Sequence, residues 1–381
     1  MDADNSWPVR MRANHWTHGL SRWARRFTAF VASGLLLPVA AQANCTVQTT
    51  DLPVKMVGNR AIATVGINGT SVPLMVDSGA FFSMLTSAAA AQLKLDVGSM
   101  PGHMKVRGLS GEIDAGRATA KKLELLGGSI PDVEFVIGGT EPGAGAMGLI
   151  GRNILSVSDI EFDLAQGVIR FVFPSDDCAD SNMAYWARNT PVSQIKLIHD
   201  NSSRAKLPPL RGVVTINDQR LVALFDSGAT SLVSLKTARQ LGLQESDMKP
   251  NGIAYGLGGK GVKSWTAPFA KVDLGGEIIS NNRLQVSDYE MDEDMLLGID
   301  FFLSHRIYVS KKSHLMFFTY NGGRVFSYNV ADAATPVASA ASSAVEATLD
   351  ADAYDRRGAA LAARGDFAGA LMWKTPTSRR D

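Results

Sequence analysis

Two aspartates in matching surroundings are the residues of this 381-residue chain that are best placed to do chemistry together. Asp77 opens the phrase Asp-Ser-Gly-Ala, and Asp226 opens the same phrase 149 residues later (226 − 77 = 149). When two carboxyl groups share one proton, the ionised one can act as a base toward a water while the protonated one acts as an acid. The repeat therefore predicts two related lobes that each donate one carboxyl group to a common site.

The same series of elements surrounds both aspartates. An alternating strand, a tight turn and an apolar strand lead into each one, with the turns at Asn68-Gly69 and Asn217-Asp218. A stretch that carries Ala and Leu follows, and it predicts a short helix over 86–95 in the first copy and over 235–243 in the second. Each copy then has a glycine-rich hairpin tip and closes with a phrase of apolar residues and glycine. The order of parts is therefore the same twice.

The residues beside each aspartate have the sizes that such a site needs. Glycine permits the tight turn that brings backbone N–H groups to a carboxylate, and alanine leaves room next to it. An isolated Asp-Ser-Gly is more often a turn or a helix cap, since Asp and Ser bind free N–H groups there. Two copies in matched context favour the shared site over that alternative. The predicted supporting residues are Ser78, Gly79, Ala80, Ser227, Gly228 and Ala229.

With these parts, the chain resembles the aspartic proteases of the retropepsin-like or pepsin-like type, in a bacterial-looking single-chain form with both lobes fused. The similarity covers roughly residues 55–330. It implies a mostly β fold of two pseudo-symmetric acid-protease β-barrel lobes with short helices, followed by a C-terminal helical segment. It also implies that Asp77 and Asp226 hydrolyse peptide bonds through an activated water, with no cofactor and no metal. The hydroxyl groups of Ser78 and Ser227 are then expected to bond across the lobe interface.

The two glycine-rich tips have two interpretations. They are either ordinary hairpin turns or, as the resemblance implies, mobile flaps over a substrate cleft. Tyr255 is in the same way either a flap aromatic or a packing residue. The candidate flap residues are Gly108, Leu109, Ser110 and Gly111 in the first copy and Tyr255, Gly256, Leu257 and Gly258 in the second.

Two further aspartates are expected to be structural. Asp300 follows Gly298 in the closing phrase of the second copy, and Asn153 stands at the matching place of the first. The position therefore suits a helix or turn cap and does not require a charge. Asp163 precedes a turn that ends at Gly167. Neither aspartate is a strong catalytic candidate.

Composition argues against other kinds of chemistry. The six histidines are scattered without a His-x-x-x-His pair, and the two cysteines form no Cys-x-x-Cys pair, so a zinc site is not supported. The sequence also contains no phosphate-binding loop and no serine nucleophile elbow. Lys plus Arg number 38 against 37 acids, a formal charge of +1, which implies no nucleic-acid partner.

The amino-terminal region predicts export. Arginines precede an apolar run over 27–40 and a small-x-small site follows, so residues 1–43 are predicted to be a signal peptide. The run is too short to span a bilayer well, and no stable membrane span is expected after its removal. The long basic region leaves both Met1 and Met11 open as the start, and an incomplete twin-arginine motif leaves the export route open. The expected location is periplasmic or secreted.

Only two cysteines occur, Cys45 and Cys178. In an oxidising compartment they are expected to form one disulfide, which would join the start of the mature chain to the end of the first lobe. Two unpaired thiols are the alternative.

The last part of the chain resembles the front of one tetratricopeptide repeat. A single incomplete repeat cannot bury its own apolar face, so this segment is either truncated or docked on a lobe, and it is a candidate protein-binding element. The predicted organisation is a first lobe over 44–174, an interlobe linker over 175–210, a second lobe over 211–330, an Ala-rich linker over 331–348 and this helical segment over 349–381.

The resemblance predicts an aspartic endopeptidase that binds an extended peptide or protein substrate between its lobes by strand-like backbone pairing. Two alternatives stay open. One is a catalytically silent peptide-binding or assembly module on the same fold. The other is a homodimer in which each lobe pairs with its counterpart in a second chain.

Overall fold

The computed structural model describes residues 45–100, 106–109, 111–178, 181–198, 207–256 and 260–326. The chain is mostly β with short helices, which confirms the predicted fold class. The predicted signal peptide, the Ala-rich linker and the tetratricopeptide-like segment lie outside the described residues.

The first copy contains twelve of the described strands and two of the described helices. In chain order they are β1 (Val47–Val57), β2 (Arg60–Ile67), β3 (Thr70–Val76), β4 (Met84–Leu85), α1 (Ser87–Gln92), β5 (Gly98–Ser99), β6 (Val106–Gly108), β7 (Gly111–Ile113), β8 (Ala115–Leu125), β9 (Gly128–Gly138), β10 (Gly148–Ile150), α2 (Arg152–Leu155), β11 (Asp159–Asp163) and β12 (Val168–Pro174).

The second copy repeats this order after one connecting strand. The elements are β13 (Ser193–Lys196), β14 (Arg211–Ile216), β15 (Gln219–Phe225), β16 (Leu232–Ser234), α3 (Leu235–Gln240), β17 (Lys249–Tyr255), β18 (Gly261–Leu274), β19 (Glu277–Ser287), β20 (Met295–Leu297), α4 (Ile299–Ser304), β21 (His305–Ser310) and β22 (Leu315–Tyr320). Three short 3-10 helices cover Leu164–Gln166, Asp176–Cys178 and Glu245–Asp247.

The predicted hairpins before the two aspartates are confirmed. Strand β2 pairs antiparallel with β3, and β14 pairs antiparallel with β15. Both turn residues have positive φ in each hairpin, 51° and 82° for Asn68 and Gly69, and 48° and 65° for Asn217 and Asp218. Asn, Asp and Gly tolerate this left-handed conformation, and it matches the twist of the flanking strands. The local sequence is therefore sufficient to specify both turns.

Each aspartate leaves its strand beside a short strand from the closing phrase of the same copy. Strand β3 runs parallel to β10, and β15 runs parallel to β20. After the aspartate, the next strand pairs with the opposite edge of the same short strand: β4 pairs with β10, and β16 pairs with β20. The loop that carries each aspartate therefore crosses over the end of a buried strand, which holds it in place.

The two copies share one sheet at their base. The strand order there is β13-β22-β21-β11-β12-β1, so the last two strands of the second copy continue the sheet of the first. Residues 175–210, predicted to be a linker, contain β13, which pairs with β22. The cores are continuous as well, since the rings of Phe162 and Phe302 from different copies meet edge to face, 5.0 Å apart. A fully buried Phe contributes about 1.5–3 kcal/mol to stability.

The predicted helices form, but they are shorter than the sequence pattern indicates. The side chains of Thr86 and Ser234 cap α1 and α3 by accepting an N–H three residues later. Both helices end early because Lys94 and Gly242 adopt positive φ just beyond them. In the part of the chain that the structure describes, none of the helices is long and apolar enough to cross a membrane.

Cys45 and Cys178 form a disulfide, with Cα atoms 4.6 Å apart. The bridge lies at the end of the β1–β12 ladder, where Val47 faces Pro174. It joins residues that are 133 positions apart in the sequence. The disulfide therefore joins Cys45, the first described residue, to the segment that follows β12, the last strand of the first copy.

Candidate active site

Asp77 and Asp226 occupy equivalent places at the ends of β3 and β15. The N–H of Asp77 donates to the carbonyl of Ile150 (3.0 Å), and the N–H of Asp226 donates to that of Leu297 (2.9 Å). The acceptors are the last residues of β10 and β20. Each aspartate backbone is therefore fixed by the short strand beneath its loop.

The two carboxyl groups face each other across the boundary between the copies. A Cβ atom added to Gly79 would lie 2.5 Å from Oδ2 of Asp226, and one added to Gly228 would lie 2.5 Å from Cγ of Asp77. Both positions therefore exclude any side chain, because real Cβ atoms essentially never come so close to another heavy atom. The two groups are also close enough for the charge of Asp226 to raise the pKa of Asp77. The structure thus brings the two predicted residues into one pair, here called the dyad.

Ser78 and Ser227 cross-link the two loops below the dyad. The Oγ of Ser78 donates to the carbonyl of Phe225 (2.9 Å) and accepts the N–H of Ser227 (2.9 Å). The Oγ of Ser227 donates to the carbonyl of Val76 (3.1 Å) and accepts the N–H of Ser78 (3.1 Å). Both serines are only 1% exposed. All four hydrogen bonds connect one copy to the other, so the two loops move as one unit.

Backbone N–H groups reach both carboxylates. Ala80 donates to Oδ1 of Asp77 (2.7 Å), and Gly228 donates to Oδ1 of Asp226 (2.8 Å). Hydrogen bonds of this kind favour the ionised carboxylate. The side chains of Ala80 and Ala229 line the open space above the dyad. The residues that were predicted to support the aspartates therefore all lie next to them.

Burial raises the pKa of both carboxyl groups. The pKa of Asp77 lies well above its ordinary value because of burial first and the charge of Asp226 second. The pKa of Asp226 is also raised by burial, and the N–H of Gly228 opposes this shift. Two close carboxylates cannot both ionise easily, so the dyad retains one proton at a pH where an isolated aspartate has none.

Asn153 and Asp300 support the loops in a way that differs from the prediction. They do not cap the helices that contain them, because α2 begins after Gly151 and α4 after Gly298. Instead, Oδ1 of Asn153 accepts both the N–H and the Oγ–H of Ser83 (2.8 Å each). Oδ1 of Asp300 accepts the N–H (2.9 Å) and the Oγ–H (2.7 Å) of Ser231 in the same way.

Ser83 and Ser231 were not identified from the sequence. Each one also accepts a backbone N–H, that of Gly151 for Ser83 (3.0 Å) and that of Gly298 for Ser231 (2.8 Å). Both follow the Asp-Ser-Gly-Ala phrase, but the first copy contains one additional residue before its serine. An alignment of the two copies with this one-residue gap would have revealed the pair.

Asp163 was not expected to be catalytic, and it does not line the open space above the dyad. Its carboxylate is 3.5 Å from the guanidinium of Arg170 and also 3.5 Å from that of Arg306. These arginines also bind Glu161, which is fully buried in the shared sheet. The group is therefore a structural ion-pair network between the two copies.

A cleft of about 660 Å³ opens above the dyad and is lined by both copies. Gly108 and Leu109 of the first hairpin tip line it, and so do Tyr255 and Gly256 of the second. Gly111 begins β7 and is not part of the lining. Ser110, Leu257 and Gly258 lie outside the described residues. The two predicted flaps therefore border the same open space.

The first hairpin tip reaches across the cleft to the second copy. Arg107 forms an ion pair with Glu290 (3.1 Å), and both side chains are largely exposed. Leu109 packs against an apolar cluster of the second copy formed by Leu232, Tyr289 and Leu296. The β6–β7 hairpin thus covers part of the cleft. Among the described residues, no group of His, Cys, Asp and Glu is arranged to hold a metal ion.

A sequence model of the aspartyl protease family matches residues 63–154 and 213–301. Each match starts in the hairpin before an aspartate and ends in the short helix after the closing phrase. The chain has an aspartic protease-like fold. Among the solved structures that match this chain are an aspartic protease and a globulin, whereas no curated protein matches its sequence.

The first is a retropepsin-like aspartic protease from Rickettsia conorii, which is 16% identical with a TM-score of 0.25. That similarity covers 35% of this chain and 96% of the other. The second is Basic 7S globulin from soybean, which is 11% identical with a TM-score of 0.37. It covers 74% of this chain and 100% of the other.

Proposed function

We propose that this protein is an aspartic endopeptidase that hydrolyses peptide bonds with the Asp77–Asp226 dyad. The observation that carries the proposal is that each carboxyl group lies against the glycine of the other loop, and that both line one cleft shared by the two copies. The rigid cross-link through Ser78 and Ser227 supports it, because a shared proton requires a fixed distance between the carboxyl groups.

In the proposed reaction, the two buried carboxyl groups share one proton, which starts on Asp77 while Asp226 is ionised. Asp226 takes a proton from a bound water as the water oxygen attacks the carbonyl carbon, and Asp77 protonates the carbonyl oxygen. The tetrahedral intermediate then breaks the C–N bond: Asp226 gives its proton to the leaving nitrogen, and a hydroxyl of the intermediate returns a proton to Asp77. Atoms and charges balance, and the dyad is restored.

The substrate in this proposal is a peptide segment in extended conformation. The cleft is bordered by two β-hairpins, β6–β7 and β17–β18, and β17 is the last strand of its sheet, so an extended peptide could pair with an edge strand there. Apolar side chains of the second copy, including Leu232 and Leu296, offer pockets for apolar substrate side chains. Action outside the cytoplasm is part of the proposal, and the Cys45–Cys178 disulfide is compatible with it.

Hydrolysis of an unfolded protein between pH 3 and pH 8 tests the proposal. We expect cleavage by the wild type, inhibition by a transition-state analogue that carries a hydroxyl at the scissile position, and no cleavage by Asp77→Asn or Asp226→Asn. Asp96→Asn is the matched control, because Asp96 is exposed and does not line the cleft. Peptide binding without cleavage by the wild type would instead identify a catalytically silent binding module.

A further inference from the structure

Arg152 lies directly beneath the loop of Asp77. Its side chain is 5% exposed, and its NH1 group donates to the carbonyls of Gly79 (2.6 Å) and Ser78 (3.3 Å). The guanidinium also lies 5.7 Å from the ring centre of Phe81. Its buried Nε atom has no hydrogen-bond partner among the described residues. A buried cation with one unsatisfied donor is unfavourable for stability, so its presence requires another explanation.

The equivalent position of the second copy shows that the fold itself does not require a cation there. Ile299 begins α4 as Arg152 begins α2, and it is 1% exposed. Both residues make the same backbone hydrogen bond, from Arg152 N–H to Ala80 (2.9 Å) and from Ile299 N–H to Ala229 (2.7 Å). An apolar residue thus fills this place without loss of the local structure. The charge of Arg152 is therefore one difference between the two halves of the site, and the carboxylate of Asp300 at the place of Asn153 is another.

We propose that Arg152 is a positioning residue which acts through the loop of Asp77 and, by its charge, sets the pH range in which the dyad works. Its catalytic consequence rests on the proposed peptidase function. The geometry that carries the proposal is the direct contact of the guanidinium with the backbone of Ser78 and Gly79, the two residues that follow Asp77.

The charged groups around the dyad determine whether Arg152 raises or lowers the pKa of the two carboxyl groups. Arg152 interacts electrostatically with both dyad carboxylates, and so does Arg60, which begins β2 and lines the cleft. Glu293 and Arg211 act on Arg152 from the second copy. A nearby cation favours ionised carboxylates, so Arg152 lowers the pKa of the dyad and opposes the effect of burial. The working range is therefore more acidic than it would be with isoleucine at position 152.

Three variants at this position separate charge from packing. Arg152→Ile copies the residue of the second copy, Arg152→Gln keeps a hydrogen-bond donor without the charge, and Arg152→Lys keeps the charge. Arg239→Gln controls for net charge, since Arg239 pairs with Glu245 on the surface outside the cleft lining. In the pH profile of kcat/KM, we expect both limbs to move upward by about one pH unit in the two neutral variants. They should stay in place in the Lys variant and in the control.

The carboxyl titration of the dyad, followed by ¹³C NMR of labelled aspartate, gives the same information without turnover. An upward shift of about one pH unit in Arg152→Gln would support the role of Arg152 even if the protein did not cleave peptides. Titration curves and pH profiles that superpose on those of the wild type would overturn the proposal. Loss of the fold in both neutral variants, with the Lys variant folded, would show that the charge serves folding and would overturn it as well.

Discussion

Ser78 and Ser227 hold each other's loops through reciprocal hydrogen bonds. Ser78 Oγ accepts the N–H of Ser227 and donates to the carbonyl of Phe225, the residue before Asp226. Ser227 Oγ accepts the N–H of Ser78 and donates to the carbonyl of Val76, the residue before Asp77. The hydroxyl groups are buried and have no access to water. The dyad geometry therefore depends on these two side chains, although neither of them reacts.

Ser78→Ala should destabilise the protein and reduce its proposed activity. The change leaves the carbonyl of Phe225 and the N–H of Ser227 without their buried partner. An unsatisfied buried group costs about 1–3 kcal/mol, so we expect a loss of about 2–4 kcal/mol in the free energy of unfolding, measured with urea. Ser71→Ala, at an exposed position of β3, is the control. Ser78→Ala combined with Ser227→Ala should cost less than the sum of the single changes, because the two hydroxyl groups belong to one hydrogen-bond network that joins the same two loops. Additive costs would contradict the cross-link.

Gly79→Ala should separate the two carboxyl groups. The new methyl group would overlap the Asp226 carboxylate, so the loop or the aspartate has to move. Displacement of a reacting group by about 1 Å can lower a rate by about 100-fold, and we expect at least that loss of kcat. Gly98→Ala is the matched control, because a Cβ atom there meets nothing within 4 Å and φ is not positive. Full activity in Gly79→Ala would show that the carboxyl groups are not in contact.

Asp77→Asn should stabilise the protein at neutral pH while it abolishes the proposed activity. The folded pKa of Asp77 is raised, so folding binds a proton. The stability that this group contributes is present below its unfolded pKa of about 3.9 and is lost as the pH rises through the folded pKa. The free energy of unfolding of the wild type should therefore fall between about pH 4 and neutral pH relative to that of Asp77→Asn.

Thermal unfolding of both proteins across this pH range measures the difference. Asp96→Asn, an exposed carboxyl group, should follow the wild type at every pH. A neutral-pH melting temperature of Asp77→Asn below that of the wild type would contradict the assignment of a desolvated carboxyl pair.

Reduction of the Cys45–Cys178 disulfide should destabilise the protein. The bridge closes a loop between residues 133 positions apart, and a loop of this size corresponds to about 3–5 kcal/mol in the chain-entropy description. Urea unfolding with and without a thiol reductant should show this loss. The double variant Cys45→Ser and Cys178→Ser should match the reduced wild type and should not respond to the reductant. Equal stability with and without reductant would show that the bridge does not constrain the unfolded chain.

Local chemistry was sufficient to predict several elements from the sequence. The residues of the Asn68-Gly69 and Asn217-Asp218 turns tolerate positive φ, and the stretches with Ala and Leu after each aspartate form the short helices α1 and α3. The two Asp-Ser-Gly-Ala phrases, which occur in equal surroundings, predicted that Asp77 and Asp226 belong to one site. These features depend on side chains a few residues apart or on an internal comparison of two copies. The sequence contains all the information needed for them.

Other features depend on contacts between distant parts of the chain. The bonds of Ser83 to Asn153 and of Ser231 to Asp300 join residues about 70 positions apart, and the place of β21 beside β11 joins the two copies. The helix-capping role predicted for Asn153 and Asp300 was wrong. Their Oδ1 atoms accept hydrogen bonds from Ser83 and Ser231 of a neighbouring loop, and not from N–H groups of their own helices.

The sequence by itself determined the duplication, the hairpin turns, the helix starts and the identity of the two aspartates. Only the tertiary structure decided that the carboxyl groups meet, that a single arginine lies beneath one of them, and that both copies share a sheet. The physical reason is that turns and caps arise from the conformational preferences of adjacent residues. The placement of Arg152 under the Asp77 loop instead follows from strand pairing and packing between segments more than 70 residues apart (152 − 77 = 75).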